Sequence, residues 1–194
     1  MARGRRVNSS GEKSKALLLE KAIEQFSTYG YHQTKISDIV KAANLTQPTF
    51  YLYFQSKESL FNDLNCEFKN QLFEILKQVK DTCKETNNNA IYIALKNIFE
   101  YFSKNPNLTK IGFYESSQAV EVKAELSKEI MDIINISEDR FYATNCVDNK
   151  ILAESLLGSI ERLTLTKLLT KESTPEKLAN DIVNIYFAQQ AVKL

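Results

Sequence analysis

The residues with the most pointed chemistry form one uninterrupted run, Thr46-Gln47-Pro48-Thr49-Phe50-Tyr51-Leu52-Tyr53-Phe54. Wound into a helix, the run sets Phe50 and Phe54 on an inner face and leaves Gln47, Thr49 and Tyr51 outside. A glutamine amide pairs with adenine in bidentate fashion, and a threonine meets a thymine methyl or a phosphate. That is the chemistry of reading DNA, by hydrogen bonds and apolar contact rather than by making bonds. Covalent chemistry has little to draw on. His32 is the only histidine, so one chain assembles neither a catalytic triad nor a histidine metal site; after Tyr31, a phosphate contact or plain exposure is expected of it. Gly-rich phosphate loops, GxSxG elbows and zincin motifs do not occur. Cys66, Cys83 and Cys146 are widely spaced and contain no CxxC pair, so they read as small apolar residues on helices in a reducing compartment. Neither an enzyme nor a cofactor is expected.

The elements that must carry this run are helical. Only 5 Gly and 3 Pro occur in 194 residues, and 43% hydrophobic content is ample for packed cores and excludes a disordered chain. Apolar positions repeat at three and four residues almost throughout, without strand alternation. A first helix is predicted over 12–29, with Leu18, Leu19, Ala22, Ile23 and Phe26 inward, ending at Gly30. A short second helix holds Ile36, Ile39, Val40 and Ala43 and stops at Asn44, a residue that tolerates the left-handed region. Thr46 is placed to cap the third helix, with Pro48 in its first turn, and Ser56 to cap a fourth. That fourth helix, 57–84, carries the stripe Leu60, Leu64, Phe68, Leu72, Ile75 and Val79 and would span on the order of 40 Å.

After a polar turn at 84–89, further helices are expected at 90–105, 108–118, 121–143, 148–170 and 175–192. Thr174 with Pro175 signals the last start. The fold class is therefore all-α, with about nine helices: a three-helix head at 1–56 with a basic arm, and a larger helical domain at 57–194. Charge follows the same division. Nine Lys and Arg stand against five acidic residues up to residue 60, and sixteen against nineteen beyond it, giving a net +1 overall. A basic head on an acidic body fits nucleic-acid reading. Arg3, Arg5 and Arg6 either follow a minor groove or form a solubilising tail. The short apolar run Ala16–Leu19 after the basic start is too brief for a signal peptide or membrane span, so a cytoplasmic protein is expected.

Read together, Ala22-Ile23-Glu24-Gln25-Phe26, Gly30-Tyr31, Thr34-Lys35-Ile36-Ser37-Asp38-Ile39-Val40, Ala42-Ala43-Asn44-Leu45, Pro48-Thr49-Phe50-Tyr51, Tyr53-Phe54 and Ser56-Lys57-Glu58-Ser59-Leu60 resemble the tetracycline-repressor (TetR) family. The resemblance covers roughly residues 12–64. Asn44 departs from the family's usual glycine. The resemblance implies that Thr34, Lys35 and Ser37 approach phosphates or an outer base, and that Thr46, Gln47, Thr49 and Tyr51 form the recognition face. It also implies that Lys57 meets a phosphate near the positive end of the fourth helix.

For the larger domain the resemblance implies a ligand cavity. Its aromatic and polar candidates are Phe99, Phe102, Phe113, Tyr114, Gln118 and Phe141, with Glu115 or Arg162 as further polar groups; ordinary core is the competing reading of these aromatics. Leu152, Leu156, Ile160 and Leu163, widened by Leu157, Leu165 and Leu168, face a partner in this reading. Leu178, Ile182, Ile185, Tyr186 and Gln189 join them from the last helix. Gly158 and Ser159 allow close approach. The expected function is a homodimeric regulator, a repressor released from a palindromic double-stranded operator by a small lipophilic effector. The alternative is a ligand-independent architectural or partner-controlled DNA-binding protein of the same fold.

Overall fold

A computed structural model of the chain describes residues 7–83, 90–136 and 148–187. Within them lie nine α-helices: α1 (Val7–Gln33), α2 (Ile36–Ala42), α3 (Gln47–Tyr51), α4 (Lys57–Cys83), α5 (Ala90–Lys104), α6 (Pro106–Thr109), α7 (Ala119–Ile136), α8 (Asn149–Leu163) and α9 (Pro175–Phe187). Two π-helical segments, Lys110–Glu115 and Thr164–Leu168, continue α6 and α8. No strand occurs among the described residues. The all-α expectation holds, and the helix expected at 108–118 is an α-turn that widens into a π-segment.

Contacts group the chain into two compact units. The first is Met1–Lys69 with Asn107–Ala119, and the second Asn70–Pro106 with Val120–Leu194. In the first unit, Leu18, Ala22 and Phe26 of α1, Ile39 and Val40 of α2, Phe50 of α3, and Leu60, Leu64 and Phe68 of α4 are buried. The segment Lys110–Glu115 packs on α1, burying Ile111 and Phe113. Gly112 sits so near α4 that an added Cβ would overlap the Phe68 ring.

The second unit is built on α5 against α9. Ile91, Leu95, Ile98, Phe99 and Phe102 of α5 are enclosed, as are Leu178, Ala179 and Ile182 of α9. Val122, Leu126, Ile130 and Ile133 bury one face of α7, while Leu156 and Ile160 do the same for α8. The α4 stripe extends into this unit with Leu72, Leu76 and Val79 buried; Leu76 takes the inner place expected of Ile75, which is half-buried. Ile75 and Leu76 stand three and four residues after Leu72, the two spacings that share a helix face, and Leu76 is the one enclosed.

Local signals account for most ends. Gly30 leaves helical geometry at φ 79° and ψ 160°, a conformation open essentially to glycine, and the chain kinks there as expected. Asn44 takes φ 52°, with Asn44 N–H donating to the Lys41 carbonyl at 3.1 Å and Leu45 N–H to Val40 at 2.8 Å. That pair of bonds is the Schellman stop, which satisfies carbonyls the helix leaves unpaired. Ser56 and Ser59 cap α4 reciprocally, each side-chain oxygen accepting from the other's backbone N–H at 3.0 and 3.1 Å. Thr174 Oγ1 accepts from Lys177 N–H at 3.2 Å, as its position before Pro175 predicts.

A candidate DNA-reading surface

The site is assembled from three consecutive short stretches, the α1–α2 connection, α2, and α3 with its flanks. α3 is a single turn and a half, shorter than the run 46–54 implied. Past Tyr51 the chain tightens, with Tyr53 and Phe54 N–H both donating to the Phe50 carbonyl at 3.0 Å. The inward members behave as expected: Phe50 and Phe54 are buried and their rings lie 5.4 Å apart. Their enclosure turns the rest of the run outward. Gln47 and Pro48 are exposed, Thr49 is half-buried, and Tyr51 keeps 55% of its surface.

Thr46 stands at the cap position of α3 in extended geometry, but its hydroxyl makes no backbone cap. It bonds instead to the Thr49 hydroxyl at 3.0 Å. The expected cap is therefore replaced by a side-chain pair that holds two hydroxyls on the outer face. A further residue of this face was not foreseen. Leu52, directly after α3, is 77% exposed. The only hint in the sequence is a large apolar side chain between two tyrosines and off the Phe50–Phe54 face. Such a side chain suits a thymine methyl.

At the start of α2, Lys35 and Ser37 are exposed. The Asp38 carboxylate reaches back to accept from Lys35 N–H at 3.1 Å, so it caps the helix and leaves the lysine ammonium outside that cap. Thr34 differs from expectation. It is buried, and its hydroxyl donates inward to the Gly30 carbonyl at 2.9 Å and lies 3.2 Å from that of Gln25. Its side chain supports the connection and does not face outward. Lys57 also turns inward: its ammonium donates to the Tyr31 and Thr34 carbonyls at 2.8 and 2.9 Å. His32 is exposed, its ring edge-on to Tyr31. An open cleft of about 560 Å³ runs along α1 and α2, lined by Tyr29, Thr34, Asp38 and Lys41 among others.

The residues expected around a ligand divide between the two compact units. Phe99 and Phe102 are fully enclosed in the second; Phe113, also enclosed, Tyr114 and Gln118 belong to the first. The Phe113 and Tyr114 rings meet edge to face at 5.2 Å, and Phe113 lies 6.4 Å from Phe68. Phe141 lies outside the described residues, as do Arg3, Arg5, Arg6, Cys146 and Gln189. Glu115 and Arg162 are exposed. Cys66 is an exposed free thiol on α4, not the enclosed apolar residue its type favours. Among the described residues, no cluster of His, Cys, Asp and Glu is arranged to hold a metal, and no helix is long and apolar enough to cross a membrane.

Comparison with known proteins agrees with this geometry. The sequence profile of bacterial regulatory proteins of the tetR family matches residues 18–64, the span from the middle of α1 into α4. The HTH-type transcriptional regulator YdgC of Bacillus subtilis is 35% identical over 182 residues, covering 92% of this chain and 93% of that protein. A TetR-like regulator from Rhodococcus sp. RHA1 superposes with a TM-score of 0.74 at 20% identity, over 93% of this chain and 97% of the other. FadR of Bacillus subtilis, solved in complex with stearoyl-CoA, gives 0.65 at 20% identity, over 90% and 98%. These relatives are transcriptional regulators and not enzymes. With a helix-turn-helix whose inner face is closed by Phe50 and Phe54, and a relative of this similarity along nearly its whole length, the chain belongs to the tetR family of DNA-binding transcriptional regulators.

Proposed function

We propose that the protein is a homodimeric repressor that leaves a palindromic operator when a small lipophilic ligand binds its larger domain. The observation that carries the DNA half of this reading is the outer face of α3. Gln47, Thr49 and Tyr51, with the Thr46 hydroxyl tied to Thr49, are presented outward by a buried Phe50 and Phe54. Lys35 and Ser37 extend that face at the start of α2 and would meet phosphates, while Thr34 and Lys57 support it from behind. Bases are discriminated by the α3 side chains, and phosphates supply the salt-sensitive share of affinity. Residues 1–56 would act as the reading head and 57–194 as the regulatory and dimerising part.

Dimerisation is supported by apolar surface that the second unit leaves uncovered. Ile151 and Leu165 on α8 and its π-segment, and Ile185 on α9, are 58%, 42% and 75% exposed. A twofold pair would cover them and present two heads to half-sites separated by helical turns of DNA. The ligand class in this reading is taken from FadR, a protein of this fold solved in complex with stearoyl-CoA. A fatty acyl thioester would suit a domain as apolar as α5 and α7 make this one. A ligand shifts the operator equilibrium only by its differential affinity for the two head spacings.

Selection of bound duplexes from a random DNA pool, at fixed salt, tests the reading. An enriched palindrome is expected, and stearoyl-CoA should release the protein from it. Salt-sensitive binding without enrichment would defeat the operator assignment. Enrichment with no release and no thermal shift by acyl-CoA would leave the ligand-independent regulator. That second reading draws on Phe99, Phe102 and Phe113, each without exposed surface as in a filled core.

A further inference from the structure

Gly158 stands in the interior of α8, where glycine weakens a helix relative to alanine. Packing within the protomer does not call for it: the residue is exposed, and a Cβ there would meet no atom within 4 Å. The two flanks of α8 are occupied. Toward α7, Ser127 and Lys123 donate to Glu154 and Glu161 at 2.7 and 2.5 Å. Toward α9, the Tyr186 hydroxyl meets that of Ser159 at 2.9 Å and the Ser155 carbonyl at 3.3 Å. Between the flanks a strip of α8 and its π-segment is left open, with Ile151, Gly158, Arg162 and Leu165 along it. Arg162 makes no ion pair among the described residues.

The strip is symmetrical about the glycine. Seven residues before it stands Ile151 and seven after it Leu165; four before it stands Glu154 and four after it Arg162. At 3.6 residues per turn, all four lie within about 40° of the line of Gly158. A twofold axis lying in the interface at Gly158, across the helix, sets a second α8 antiparallel on the first. Residues equally far before and after the glycine then come face to face. Ile151 meets the partner's Leu165 and Glu154 the partner's Arg162, each contact occurring twice. Ser127 holds one oxygen of the Glu154 carboxylate, leaving the other to accept from a guanidinium.

We propose that two copies of the protein associate through α8, crossing antiparallel at Gly158, with Glu154–Arg162 pairs formed reciprocally on either side of the crossing. The missing side chain of Gly158 admits the partner's backbone. The proposal rests on the homodimer reading and sets its register. Moving the axis one turn along α8 would lay Arg162 on the partner's Arg162, or Glu154 on the partner's Glu154. Like charges therefore disfavour the neighbouring registers.

Sedimentation equilibrium of the full-length protein, over a range of concentrations at fixed salt, tests the pairing with Glu154→Arg, Arg162→Glu and the double variant. Each single reversal sets like charges face to face twice per dimer and should raise the dimer dissociation constant at least about tenfold. The double reversal restores opposite charges and should recover most of that loss, although it lacks the Ser127 bond just as Glu154→Arg does. Gly158→Leu gives an independent reading. It improves helix propensity and its Cβ meets nothing in its own chain, so the helical signal in circular dichroism should hold. Its association should nevertheless weaken at least about tenfold, because the side chain overfills the crossing. Single reversals that associate like the wild type, a double no tighter than the singles, or unchanged association of Gly158→Leu each overturn the proposal and leave the homodimer standing. A wild type that stays monomeric at every concentration rejects the homodimer reading and this register with it. Should a charge-reversed chain fail to fold, Gly158→Leu decides alone.

Discussion

At the scale of single residues, the outer surface of α3 is decided by its neighbours' burial. Phe50 leaves no surface to solvent while Tyr51, beside it, keeps 55%. Removing an exposed side chain of this kind usually changes stability by no more than about 0.5 kcal/mol. Tyr51→Ala should therefore weaken operator binding by about tenfold, a typical loss for one good base contact, with an unchanged melting curve. Wild-type shifts in a mobility assay would show that the reading face lies elsewhere. Gly112 is the opposite case, a buried residue. Its missing side chain admits the Phe68 ring, and a Cβ there would stand 2.9 Å from Phe68 Cβ and closer still to the ring. Overpacking of this kind costs about 1–3 kcal/mol. Gly112→Ala should lower the denaturation midpoint accordingly, and wild-type stability would mean that the Lys110–Glu115 segment yields freely.

At the scale of elements, the helices end by local chemistry that carries its own pH dependence. After Thr164–Leu168 the chain turns on Lys171, at φ 62°, with Glu172 N–H donating to the Lys167 carbonyl at 2.9 Å. The Lys167 ammonium spans the same turn to the Glu172 carboxylate at 2.6 Å. This hydrogen bond, followed by the charge of Lys167, holds the Glu172 carboxyl below its ordinary 4.5. On α5 the Lys104 hydrogen bond does the same for Glu100, against a smaller opposing effect of burial and with help from Lys96. A carboxyl lowered by folding contributes stability that is fully present above its unfolded value and is lost as pH falls through the folded one. Melting temperature should therefore drop as pH falls from about 5 toward 3. The double variant Glu100→Gln/Glu172→Gln should drop less over that range, by a small margin because both groups lie at the surface. Parallel curves for the two proteins would exclude the pairs as contributors.

At the scale of the whole molecule, the uncovered apolar residues of the second unit are the ones that matter for assembly. Leu156, Ile160, Leu178 and Ile182 belong to the stripes expected to face a partner, yet they are buried within the chain itself. Ile151, Leu165 and Ile185 are left outside. If the proposed dimer uses this surface, Leu165→Glu with Ile185→Glu should give a monomer in sedimentation and abolish binding to the selected duplex, because a charge buried without a partner opposes association. A dimer that persists would place the interface on another face.

Much was legible before any fold was known, and for a local reason. Helix spacing, the Gly30 and Asn44 stops, the Ser56 and Thr174 caps and the enclosed Phe50–Phe54 pair each depend on residues within one or two turns. A periodic pattern or a breaker therefore states them directly. The outward face of α3 follows at once, and with it the expectation of a DNA reader.

What the amino-acid order leaves undetermined depends on partners far along the chain. Thr34 and Lys57 have the residue types of phosphate contacts, but each spends its polar atoms on backbone carbonyls, those of Lys57 reached across 23 and 26 positions. The grouping of Asn107–Ala119 with the head, and the choice of which leucines of α8 and α9 are spent inside the protomer, are likewise set by packing. An amphipathic stripe specifies that a face is buried. Only the tertiary structure decides against what, since burial free energy depends on apolar area and not on the identity of the surface that covers it.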